Sequence, residues 1–131
     1  MFDGLISGNY FDIALLILRV GLGIIFIAHG FSKIRNLANT REQFLQMGVP
    51  APLITSSYAA FIEFFGGILL VLGFYSQWAS LGIAIDMLGA MLFVKFKSPF
   101  IGGWELDVAL FIMATAVFLL GPGAIVFSFI R

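Results

Sequence analysis

Arg19 stands near the middle of an almost unbroken apolar run from Ile13 to Lys33, and His29 stands near its end. About 20 apolar residues rising ~1.5 Å each make a helix that crosses a hydrocarbon core of ~30 Å. A guanidinium inside such a span costs at least ~2.5 kcal/mol on insertion scales. Other segments must offset that cost by enclosing the charge and giving it partners. A bundle is therefore required, and a lone apolar helix is excluded.

Composition supports the membrane reading. The chain is 61% apolar and 11% charged, with seven basic and seven acidic residues. Its mean hydropathy is +1.09. A soluble domain needs far more polar surface than this. The balanced charge points away from nucleic acid as a partner. The absence of cysteine excludes a dithiol–disulfide mechanism carried by this chain and excludes thiolate metal sites. The first apolar run has no basic segment before it, is long, and contains Arg19, so it is not expected to be a removable signal peptide.

Apolar runs at about 12–32, 54–74, 78–95 and 105–120 are each near spanning length, which predicts an all-α, four-helix integral membrane bundle as a single domain over residues 1–131. Tyr10, Phe11, Tyr75, Trp78 and Trp104 mark the run ends, where interfacial aromatics belong. The second and third runs are joined so closely that they form a tight hairpin. The first connection is longest. Thr40 followed by Gln43 reads as a capping box, with Gly48 as the stop and Pro50 and Pro52 beyond it. That predicts a short amphipathic helix at the interface. The tail Ala124–Arg131 is apolar but too short to span. Lys33, Arg35 and Arg41 fall in the first connection and Lys95 and Lys97 in the third, whereas the far side has only Arg131. The positive-inside rule places the loops 33–53 and 95–104 in the cytoplasm and both termini outside.

Helical geometry tests whether the intramembrane charges can meet. At ~100° per residue, Arg19, Gly23, Phe26 and Gly30 share one stripe of the first helix, with His29 on its flank. On the second, Ser56, Ala59, Ala60, Glu63, Gly66 and Gly67 share a face; on the third, Ala79, Gly82, Asp86, Gly89 and Ala90 do. Small residues let helices approach closely in lipid, so Glu63 and Asp86 belong on inward faces. Counted from the cytoplasmic ends, both are about 12 Å deep, with Arg19 about 18 Å and His29 about 3 Å deep. An ion pair of Arg19 with Glu63 or Asp86 is therefore expected. Glu105 and Asp107 lie about 200° apart, so only one can face inward. Glu105 shares a stripe with Ala109 and Ala116 and is assigned to the interior, and Asp107 to the interface.

Several stretches together resemble the DoxX family of small bacterial membrane proteins. They are L-R-V-G-L-G-I-I-F-I-A-H-G-F-S-K at Leu18–Lys33, M-G-V-P-A-P at Met47–Pro52, E-F-F-G-G-I-L-L-V-L-G-F at Glu63–Phe74, G-G-W-E-L at Gly102–Leu106 and G-P-G at Gly121–Gly123. The resemblance implies a four-helix protein of the bacterial cytoplasmic (inner) membrane. It also implies a link to redox chemistry, since some relatives are subunits of a thiosulfate:quinone oxidoreductase. Matched positions make Arg19, His29, Lys33, Glu63 and Glu105 the recurrent polar set; Asp86 rests on the helix-face argument alone.

Two functions stay open on these residues. One is a membrane subunit of a redox-linked, quinone-associated complex, with Arg19, His29, Glu63, Asp86 and Glu105 as ligand-binding or proton-relay candidates. Quinone chemistry needs donors at two carbonyls and a proton source, which these residue types provide. No pattern for a covalently bound cofactor, haem or iron–sulfur cluster is present, so electrons would come through a redox partner subunit or the quinone itself. The other is a non-catalytic anchor whose buried charges are structural. The residues name no catalytic set. A bundle metal site is not expected, because the repeated Glu-x-x-His pairs are missing and His29 is the lone histidine. The lipid bilayer is the certain partner, and a transport path through so small a chain would require a homo-oligomer.

Overall fold

The computed structural model describes residues 9–94, 97–121 and 123. The short tail at 124–131, Lys95 and the proline of G-P-G lie outside the described residues. Among the described residues the chain is all-α, with four helices long and apolar enough to cross a membrane. They are α1 (Asn9–Arg35), α3 (Pro52–Leu72), α4 (Ser76–Phe93) and α5 (Glu105–Leu120), the last reaching spanning length together with the turn Phe100–Trp104 that leads into it; α2 (Leu37–Gln46) is a short helix between the first two spans. Around the bundle, α1 packs on α3, α3 on α4 and α4 on α5, and a smaller contact of α5 with α1 closes the ring.

The α1–α3 crossing is set by glycine. A Cβ on Gly67 would lie 2.7 Å from the Gly23 carbonyl oxygen, and one on Gly23 would lie 2.6 Å from the Gly67 carbonyl oxygen. A Cβ on Gly30 would collide with the Phe64 backbone. In lipid, where apolar side chains gain little by leaving the acyl chains for one another, such backbone approach is what holds spans together. The buried face of α3 is Ser56, Ala59, Ala60, Glu63, Gly66, Gly67 and Leu70, the small-residue face expected from its spacing with one leucine added. Leu22, Phe26, Leu70, Ile83, Met87, Leu110, Ala114 and Val117 fill the centre.

α4 is rotated from the expected face. It buries Ser76, Ala79, Ser80, Ile83, Ala84, Met87 and Met91, which leaves Asp86 at the edge and Gly89 with open space beside it. Large side chains fill volume on this helix, so Ile83, Met87 and Met91 take the centre and the glycines do not.

The connections follow local chemistry. The Asn36 side chain caps α2 by accepting from the Asn39 N–H at 3.1 Å. The expected capping box at Thr40 is therefore not used. Thr40 is inside the helix, and its hydroxyl donates to the Lys33 and Asn36 carbonyls, tying α2 to the end of α1. Gly48 follows the C-cap Met47 as the expected stop. The reversal between α3 and α4 uses Gly73 at φ 81° and Tyr75 at φ 50°. Before α5, Phe100–Trp104 forms a wide turn broken by extended Ile101 and by Gly102. Because neighbouring spans run antiparallel, Lys33, Arg35, Arg41 and Lys97 gather at one end of the bundle.

Candidate functional site

The polar residues of the spans form two separate layers. In the first, Arg19 is fully buried, and its Nε donates to the Leu70 carbonyl at 2.6 Å. That carbonyl lies about 10 Å along α3 from Glu63. The expected ion pair of Arg19 with Glu63 or Asp86 is thus replaced by a backbone contact. The cause is the α1–α3 crossing: with Gly23 against Gly67 and Gly30 against Phe64, Arg19 is carried past Glu63, and Lys33, one turn beyond Gly30, reaches it instead.

The second layer lies nearer the basic end and draws one residue from each spanning helix. Lys33 of α1 donates to Glu63 Oε1 of α3 at 2.9 Å, with the Glu63 side chain 3% exposed and that of Lys33 25% exposed. Asp86 of α4 has the Glu63 carboxyl as its side-chain hydrogen-bonding neighbour and interacts electrostatically with Lys33 and with Asp107 of α5. Asp86 Oδ2 is sealed from solvent, and no donor among the described residues reaches it. Two carboxyls form a hydrogen bond only by sharing a proton, because an ionised carboxylate is acceptor-only. One cation among carboxyls from three other helices makes this layer a place where a proton can be held and passed on.

Tyr58 extends the layer to the surface. Its hydroxyl donates to the Gly82 carbonyl of α4 at 2.7 Å, and Asp86, one turn along α4, acts on it electrostatically. Two open grooves flank α3. One, of about 400 Å³, is lined by Ser57, Tyr58, Phe61, Ile62 and Phe65. The other, of about 340 Å³, is lined by Ile24, Ile27, Ala28, Phe31 and Phe64.

Two candidates fall outside both layers. His29 is exposed on the outer side of α1. Its offset from the Gly30–Lys33 stripe turns the imidazole away from the bundle. Glu105 is exposed and accepts the Gly102 N–H at 2.9 Å, so it caps the turn before its own helix. The interior assignment is reversed between the two acids of α5. Asp107, not Glu105, lies toward the centre, at the head of the stripe that buries Leu110, Ala114 and Val117. That 3-4-3 spacing is present in the sequence and outweighs the Ala109 and Ala116 pair. Lys33 likewise continues the α1 stripe at regular spacing, although its charge reads as a loop residue. No sequence signal singles out Tyr58. Among the described residues, no group of three or more metal-capable side chains is arranged to hold an ion.

Comparison with known proteins places the chain among membrane proteins. The DoxX family model matches residues 14–96, a span that includes Arg19, Lys33, Glu63 and Asp86. A Bacillus subtilis (strain 168) protein named "Putative oxidoreductase CatD" is 35% identical over 111 residues, covering 85% of this chain and 81% of its own length. "Inner membrane protein YphA" of Escherichia coli (strain K12) is 29% identical over 140 residues, covering 89% of this chain and 94% of its own. "Inner membrane protein YqjF" of the same organism is 32% identical over 83 residues, 63% of this chain and 62% of its own. No solved structure matches the chain.

Proposed function

Since the chain belongs to the DoxX family of multi-pass inner-membrane proteins, we propose that it is the membrane subunit of a redox-linked complex that works on a quinone-like molecule. The observation that carries this reading is the second layer: a salt-bridged Glu63 in hydrogen-bonding contact with Asp86, both within the spans. A name that specifies an oxidoreductase for the Bacillus subtilis relative supports it. Reduction of a quinone takes two electrons and two protons; the electrons come from a redox partner protein, and this chain handles the protons. Lys33 holds Glu63 in place, Glu63 and Asp86 share and pass a proton, and Asp107 adjusts the field around Asp86. The basic end faces the cytoplasm, which supplies the protons, and both termini lie outside.

A second reading has its own support. Arg19 is fully buried, bonds to the Leu70 carbonyl, and lies apart from the carboxyl layer. Such a contact fixes helix register, as a non-catalytic anchor or assembly subunit requires. The two readings are separated in host membranes by the ratio of quinol to quinone extracted from cells. Deleting the chain is expected to shift that ratio several-fold. Glu63→Gln and Asp86→Asn, at normal abundance, should reproduce the deletion, and His29→Ala should match the parent. If the carboxyl variants accumulate normally and leave the ratio unchanged, the redox-linked reading fails and the anchor reading stands.

A further inference from the structure

Thr40 opens a capping-box pattern in the sequence, yet Asn36 does the capping and Thr40 lies within α2. It is buried, 5% exposed, on a helix whose other residues are open or half-open. A buried hydroxyl is costly unless it is hydrogen-bonded. Thr40 shares its one hydrogen between the Asn36 carbonyl at 3.0 Å and the Lys33 carbonyl at 3.2 Å. The first is the ordinary bond of a threonine to the residue four before it in a helix. The second leaves α2 and reaches the last turn of α1. There the final four carbonyls have no amide of their own helix to meet. The Lys33 carbonyl is met from outside α1, by the Thr40 hydroxyl and by the Asn36 N–H at 3.3 Å. The ammonium of the same residue donates to Glu63 Oε1 at 2.9 Å. Lys33 is thus held at both ends, its carbonyl by α2 and its ammonium by α3. α2 also packs against α3, so it bridges the two helices that supply the ion pair.

We infer that Thr40 is a positioning residue: by pinning the Lys33 carbonyl it keeps the ammonium on Glu63, so that the seating of α2 governs whether the carboxyl layer holds its cation. The two holds support each other. A lysine side chain gives up much rotamer freedom when its head is fixed, and the last turn of a helix frays. Fixing the backbone beneath Lys33 removes the fraying, so the ion pair has only the side-chain freedom to overcome. With α2 seated, one cation stands among the carboxyls of Glu63, Asp86 and Asp107. With the tie broken, the last turn of α1 loosens and Lys33 swings toward the aqueous side, to which its side chain is already partly open. The consequence for proton handling rests on the redox-linked reading above; the hold on Lys33 does not.

The rate at which the Lys33 amine is modified reads that hold directly. The full chain in phospholipid nanodiscs is methylated with formaldehyde and cyanoborohydride, and Lys33 is followed by mass spectrometry against the exposed Lys97. Thr40→Val keeps the β-branched shape and removes the hydroxyl. Lys33 modification is then expected to rise about fivefold, the equivalent of one hydrogen bond of about 1 kcal/mol. Thr40→Ser keeps the hydroxyl and should stay at the parent rate. So should Thr55→Val, which takes a similar hydroxyl from the Pro50 and Ala51 carbonyls at the start of α3. Glu63→Gln should speed Lys33 by itself, and Thr40→Val added to it should bring no further rise. Helicity and unfolding midpoint check the fold of each variant; Thr40→Ala carries the same expectation where valine does not fit. A parent rate in Thr40→Val, or a rise in Thr40→Ser equal to that in Thr40→Val, overturns the assignment. The same fivefold rise in the Glu63→Gln background also overturns it, because Thr40 would then only shield the lysine. A freed Lys33 with an unchanged quinol-to-quinone ratio upholds the positioning role and counts against the redox-linked reading.

Discussion

Replacing Gly67 with alanine puts one methyl group into the contact on which the bundle depends. The new Cβ would sit 2.7 Å from the Gly23 carbonyl oxygen and 2.8 Å from the Ile27 nitrogen. Both neighbours are backbone atoms, so neither can rotate away. Restoring the 3.4 Å of ordinary contact requires α1 and α3 to part by about 0.7 Å, with loss of packing along the crossing. Overpacking of this kind costs about 1–3 kcal/mol, and backbone neighbours place it near the top of that range. Alanine returns about 1 kcal/mol of helix propensity. The net expectation is a loss of about 2 kcal/mol for Gly67→Ala, and a similar loss for Gly23→Ala. One separation of the helices relieves both clashes. The double variant should therefore fall short of the sum by about 1 kcal/mol or more. Gly21, also on α1, would carry a methyl group with nothing within 4 Å of it and serves as the control. Gly21→Ala should be neutral or stabilising by up to about 1 kcal/mol. Reversible unfolding in mixed micelles, driven by the mole fraction of sodium dodecyl sulfate, measures all four variants. If Gly67→Ala and Gly23→Ala behave like Gly21→Ala, or add without coupling, the crossing is not a backbone contact and the reasoning is refuted.

Three further outcomes concern the polar layer and the two acids of α5. Lys33→Met leaves Glu63 buried without its cation and should destabilise by about 3 kcal/mol, whereas Lys33→Met with Glu63→Gln should recover at least half of that in the same unfolding assay, since no bare charge remains. Glu105→Ala removes the acceptor of the Gly102 N–H and should cost about 1 kcal/mol with the quinol-to-quinone ratio unchanged. Asp107→Asn should instead move that ratio with little loss of stability; the reverse pattern would return Glu105 to the interior.

How far the sequence reaches depends on what kind of constraint is at work. The bilayer imposes length and polarity one residue at a time, so an all-α bundle of four spans can be read directly from apolar runs. The inward face of α3 is legible for a similar reason: Gly66, Gly67, Ala59 and Ala60 recur at helical spacing, and lipid offers small residues no other use. Glu63 follows from that face. The partners of Glu63 do not. Which cation reaches it depends on how far α1 slides along α3, and that register is decided by Gly23 meeting Gly67 and Gly30 meeting Phe64. The same slide carries Arg19 to the Leu70 carbonyl and brings Lys33 into the layer.

Rotation is the other quantity the local pattern leaves open. α4 presents glycines on one side and Ile83, Met87 and Met91 on another, and only the space left by its neighbours selects the larger side chains for the centre. α5 has two acids at its start, and only the turn at Ile101 and Gly102 decides that Glu105 caps while Asp107 lies toward Asp86. The sequence by itself therefore determined the membrane, the number of spans and the inward face of α3, because each follows from transfer of single residues or single faces out of water. Tertiary structure alone decided which charges meet, because the slide and rotation of one helix against another are settled by close packing between residues far apart in the chain.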